Sequence, residues 1–136
     1  RSIMEEYGYE NVYRVTDYEH PFDGYLGQDV VCFEEFRSSL KIQEMLNYLD
    51  GYPLELPCRY VNKIACYTSV FILTNISLDK QYETVQNEFP ETWNAFIRRI
   101  HRIKEYGVFD EPMEYGIDEY YKKKDIKAQQ SKMKEV

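Results

Sequence analysis

The sequence predicts an α/β domain built on a parallel sheet, and three observations carry that prediction. The run Asp29-Val30-Val31-Cys32-Phe33-Glu34-Glu35-Phe36 sets four apolar residues in a row behind a β-branched pair, the pattern of a strand buried on both faces. A second run, Ser69-Val70-Phe71-Ile72-Leu73-Thr74-Asn75, repeats the pattern and also ends on a polar side chain. Between them lies a helical segment, and buried strands separated by a helix pair in parallel. Both strands then end at one sheet edge, where Glu34, Glu35 and Asn75 converge. In open α/β sheets that edge is where ligands and chemistry collect. Two carboxylates closing an apolar strand can hold Mg²⁺ and polarise an attacking water, although a buried strand that merely exits into a polar loop leaves the same trace.

The other elements follow in chain order. Arg1 to Tyr7 has the composition of a helix body, stopped by Gly8 and lacking a capping residue in front, so the chain is expected to begin inside a helix of something longer. Asn11 to Thr16 alternates apolar and polar residues and predicts a short strand. Asp17 to Gln28 is a loop, with His20-Pro21 and Asp23-Gly24 as turn signals. Leu40, Ile42, Met45, Leu46 and Leu49 give the central helix one apolar side from about Ser39, with Ser38 or Ser39 as its cap and Asp50-Gly51 as its stop. Leu54 to Cys66 predicts a β-hairpin, with Cys58 and Cys66 symmetric about a tip near Val61-Asn62-Lys63. Pro90 opens another helix, carrying Trp93, Phe96, Ile97 and Ile100 at helical spacing. From Ile100 to Tyr106 the pattern fits a continued helix or a final strand. The charge-rich segment 111–136 is expected to be a solvated helix or disordered, beyond a domain spanning 1–110.

Composition narrows the function classes. The 136 residues are 43% hydrophobic and 30% charged, ordinary for a globular chain with a real core. A net charge of −7 argues against a broad nucleic-acid-coating surface, so any such contact has to be local or repeated in an oligomer. The 14 tyrosines supply rings that can be half-buried or stacked. Cys32, Cys58 and Cys66 form no C-x-x-C pair, which excludes a zinc ribbon and suits a reducing cytoplasm. No apolar run approaches the roughly 18 residues of a membrane span.

Several motifs now line up in order. Phe22-Asp23-Gly24-Tyr25-Leu26-Gly27-Gln28-Asp29-Val30-Val31, leading into Glu34-Glu35-Phe36-Arg37, resembles the Walker B region of Rep-type replication initiator helicases of superfamily three. Leu49-Asp50-Gly51-Tyr52-Pro53-Leu54 and the hairpin resemble the segment that follows it. Val70 to Asn75 resembles motif C, and Ala95-Phe96-Ile97-Arg98-Arg99-Ile100 the family's arginine-bearing segment. The stretch Leu56-Pro57-Cys58-Arg59-Tyr60 is most similar to plasmid Rep proteins of Gram-positive bacteria. The resemblance covers roughly residues 1 to 106. It implies a three-layer P-loop NTPase (AAA+-like) parallel sheet with a β-hairpin insertion, truncated at its N-terminus. The family's glycine-rich phosphate loop has no counterpart in this sequence and by resemblance sits immediately before Arg1; without it the chain alone is expected to be inactive. The family's upstream nickase domain has no counterpart either, since His20 and His101 are the only histidines.

The resemblance also implies roles. Glu34 takes the metal-side position, usually Asp, and as a longer side chain can still reach Mg²⁺ through a water. Glu35 is the base or orienting group for the attacking water, and also lies by the metal. Asn75 orients that water or the γ-phosphate of ATP. Arg98 and Arg99 are candidate fingers donated to a neighbouring subunit, which implies a homo-oligomer, by resemblance a hexameric ring. Lys63 at the hairpin tip and Arg59 beside it contact single-stranded or origin DNA. The implied whole is a cytoplasmic, ATP-dependent DNA helicase of a rolling-circle replication initiator, encoded by a bacterial plasmid, mobile element or virus. Two alternatives stay open: a non-catalytic oligomerisation or DNA-binding module of the same fold, and the RNA helicase domain of a small RNA virus.

Overall fold

The computed structural model describes residues 3–50, 54–56, 58–59, 61–105 and 113–122. They divide into two compact units, Arg1–Trp93 and Asn94–Val136. The first holds a parallel sheet of three strands, β1 (Val12–Val15), β2 (Val30–Phe33) and β5 (Ser69–Ile72), in the order β1-β2-β5. Val30 pairs with Val12 on one side and Ser69 on the other, and Phe33 with Val15 and Ile72. The predicted α/β class with a parallel sheet is the class observed.

Strand β2 is central and all four of its residues are buried, as its unbroken apolar run requires. Side chains alternate across the sheet, so the register assigns two faces. Val12, Val30 and Cys32 pack together on one face with Phe71 and with Met4 of α1 (Ile3–Tyr7). Tyr7 adds a tilted ring contact to Phe71 at 5.7 Å. Gly8 ends this helix at φ +86, where its N–H donates to the Met4 carbonyl at 2.9 Å, a left-handed stop that only glycine makes cheaply. The other face carries Tyr13 and Phe33, which meet Phe22, and Phe33 also meets Tyr48 of α2 (Ile42–Leu49). The tyrosines account for themselves here. Their rings join this cluster while the hydroxyls reach backbone oxygens, Tyr67 to Tyr48 at 2.7 Å and Tyr25 to Gln28 at 2.8 Å.

Helix α2 starts at Ile42, later than the serines predict, and Lys41 precedes it without a side-chain cap. Both serines are used elsewhere: Ser39 Oγ accepts from the Arg37 N–H and Ser38 Oγ from the Tyr82 N–H. The stop at Asp50 is observed, whereas Gly51 lies outside the described residues. The hairpin forms from β3 (Glu55–Leu56) and β4 (Lys63–Ile64). Its register pairs Leu56 with Lys63, which corrects two expectations: Lys63 sits in the returning strand rather than at the tip, and Cys58 and Cys66 are not opposite each other.

Beyond the sheet, α3 (Glu83–Glu88) has no counterpart in the sequence reading, and α4 (Pro90–Arg98) begins at the predicted proline. In the second unit the ambiguous stretch resolves as a strand, β6 (Arg102–Glu105), antiparallel to β7 (Met113–Gly116). The charge-rich segment is therefore not purely helical or disordered. Tyr115 is buried and its hydroxyl donates to the Glu105 carboxylate, which gives this short strand a reason to pair. Residues 117–122 are helical, and the lysines from 123 onward lie outside the described residues. No helix among the described residues is long and apolar enough to cross a membrane.

Candidate functional site at the carboxyl edge of the sheet

The ends of β2 and β5 open into a cleft of about 700 Å³ lined by Glu34, Glu35, Thr74 and Asn75, with Arg14 and Thr16 from the end of β1. The predicted convergence of Glu34, Glu35 and Asn75 is thus the observed geometry. Parallel pairing produces it: Leu73 N–H donates to the Phe33 carbonyl and Phe36 N–H returns to the Leu73 carbonyl, each at 2.8 Å. These bonds carry the two strand ends past the last paired residues in step.

Glu34 does not stand alone in this cleft. Arg14 Nε and Nη2 donate to its two carboxylate oxygens at 2.9 and 2.7 Å, a bidentate fork. The register explains the pairing, since Arg14 lies opposite Cys32 and Glu34 is two residues on, on the same face. The Arg14 guanidinium is in turn held above its usual pKa by the hydrogen bond to Glu34. Tyr18 completes the setting, its hydroxyl donating to the Glu34 carbonyl at 2.6 Å. Burial, reinforced by Cys32 and the neighbouring acids, pushes that phenol up to about 12, so it remains a donor throughout the physiological range.

Glu35 is exposed and takes a left-handed backbone, φ +48. Such a conformation is costly for a residue with a Cβ and is held only where its surroundings enforce it. Its carboxylate has no hydrogen-bond partner among the described residues, so it keeps its acceptor capacity for solvent in the cleft. Asn75 is oriented by Arg37, whose Nε donates to the side-chain oxygen at 3.0 Å. With that oxygen engaged, the amide NH₂ is the group Asn75 can offer to a phosphate or water oxygen.

Gln81 ties the two loops behind the cleft together. It is 2% exposed; its side-chain oxygen accepts from Ser38 N–H at 2.7 Å and Ser38 Oγ at 2.9 Å. Its amide nitrogen donates to the Phe36 carbonyl at 3.0 Å and to Thr74 Oγ1 at 3.2 Å. Sequence reasoning missed Arg14, Arg37 and Gln81, because each acts on a partner far along the chain and no local pattern marks it.

The hairpin cations turn toward the loop before β2. Asp23 accepts from the Arg59 backbone N–H at 3.1 Å and pairs with its guanidinium at 2.5 Å, while the Lys63 ammonium donates to the Asp23 carbonyl. Arg98 and Arg99 belong to the second unit. Arg98 is exposed at the end of α4, and half-buried Arg99 donates to the Ala95 carbonyl at 2.9 Å.

No group of three or more His, Cys, Asp or Glu among the described residues is placed to hold a metal ion. Glu34 and Glu35 supply two adjacent carboxylates instead. Mg²⁺ keeps several waters and takes one or two carboxylates beside phosphate oxygens; Glu35 is open to it, and Glu34 would fit it only with its oxygens freed from Arg14. Residues 1–76, more than half of the chain, match the family model described as RNA helicase, while no curated protein matches the chain.

Proposed function

The chain belongs to the RNA helicase family, and from that premise we propose that it is the hydrolytic and strand-contacting part of an ATP-driven helicase of superfamily-three type. The observation that carries this reading is the meeting of Glu34, Glu35 and Asn75 in one cleft at the carboxyl edge of the sheet. Bound Mg²⁺–ATP would supply the polarised phosphoryl group and the leaving group. Glu35, open to solvent, orients a water and accepts its proton. Asn75 turns its amide NH₂ toward the water or terminal phosphate, held in that sense by Arg37. Glu34, if freed from Arg14, would hold the cation through its water shell. Arg98 or Arg99 completes the charge balance from a neighbouring subunit of a ring.

The resemblance to replication initiators favours single-stranded DNA as the strand, in a rolling-circle initiator. The description of the matched family favours RNA as a second reading. Hydrolysis of ATP by the full-length protein, with and without single-stranded DNA and RNA of one sequence, tests both. Stimulation by DNA supports the first and stimulation by RNA alone the second. ATP hydrolysis that neither strand changes argues against a helicase.

A further inference from the structure

We propose that Asp23 occupies a phosphodiester site on the hairpin, and that a nucleic-acid strand binds there by displacing it. The inference rests on the hairpin being the strand-facing element. Three donors converge on this one residue: the Arg59 backbone N–H and guanidinium on its carboxylate, and the Lys63 ammonium on its carbonyl. A backbone N–H, an arginine guanidinium and a lysine ammonium are the groups with which proteins hold nucleic-acid phosphates. The exchange replaces one anion with another. The Arg59 guanidinium holds the Asp23 carboxyl below the usual carboxylate range.

The pair is positioned to open. The side chains of Arg59 and Asp23 are 52% and 20% exposed, so solvent and a strand reach the contact without unfolding the core. The Cys58 thiol adds a further, weak tether, donating to the Phe22 carbonyl at 3.4 Å. Asp23 therefore competes with phosphate for the very cations that would bind it, and sets a threshold on strand affinity. The loop that carries Asp23 also carries Tyr18, whose hydroxyl bonds the Glu34 carbonyl, so strand binding acts on the segment next to the acids.

The test is binding of a fluorescein-labelled single-stranded oligonucleotide to the full-length protein across a salt titration. Asp23→Asn should tighten binding roughly three- to fivefold at low salt, the scale of an exposed ion pair. Arg59→Ala and Lys63→Ala should each weaken it and lower the slope of log K against log salt by about 0.7. Asp23→Asn should add no tightening to the Arg59→Ala/Lys63→Ala double variant. Unchanged or weaker binding by Asp23→Asn, with Lys63→Ala still weakening it, overturns the masking and leaves the hairpin reading standing. Unchanged binding in both cation variants overturns the hairpin reading and the proposal with it. Asp23→Ser guards against misfolding: at an unaltered melting temperature it should tighten binding equally, and failure to do so counts against the proposal.

Discussion

At the scale of single residues the cleft is a set of acids and amides held by arginines. Both oxygens of Glu34 are engaged by Arg14, so a divalent cation at Glu34 competes with a guanidinium as well as with water. Replacing Arg14 with Gln removes the competitor and should strengthen Mn²⁺ binding to the full-length protein severalfold, read by electron paramagnetic resonance; unchanged or weaker binding would show that the pair does not restrain the acid. Glu34, Glu35 and Asn75 were legible in the sequence because each closes a recognisable apolar run. Arg14 and Arg37 were not. Arg14 finds Glu34 20 residues away, and Arg37 finds Asn75 38 residues away, through pairings that exist only once strands and loops are in place. The Asp23 contacts were hidden for the same reason, and they turn Arg59 and Lys63 from simple exposed charges into partners of a loop.

At the scale of elements, the strands of the parallel sheet and the two longer helices were readable because burial on both faces or along one side leaves a periodic trace, whereas β6 was ambiguous and β7, in a charged segment, left none. The start of α2 was misplaced, since Ser38 and Ser39 look like caps locally yet serve the loop around Gln81 and Arg37. The hairpin was found, but its register was not: symmetry of two cysteines is a weaker guide than the pairing of Leu56 with Lys63. Gln81 is the element-scale joint, bonding the loop after β2 to Thr74 after β5. Gln81→Leu strands the part-buried Ser38 N–H and the buried Phe36 carbonyl, so it should lower unfolding free energy by about 1–3 kcal/mol. Urea denaturation checks this. A loss within about 0.5 kcal/mol, typical of surface changes, would mean that the loops are held together by other contacts.

At the scale of the whole molecule, one sheet edge unites the residues proposed for hydrolysis, and a hairpin in the same unit carries the cations proposed for the strand. A chain of net charge −7 can hold nucleic acid only through such local cations, repeated around an assembly if the ring forms. The central claim is that Glu35 activates the water at this edge. The most direct measurement is strand-stimulated ATP hydrolysis by full-length Glu35→Gln, beside nucleotide binding by the same variant. Hydrolysis should fall roughly 10²- to 10⁴-fold, the usual contribution of a positioned base, with nucleotide affinity nearly unchanged. Hydrolysis near the unmodified rate by a variant that binds nucleotide normally would contradict the assignment.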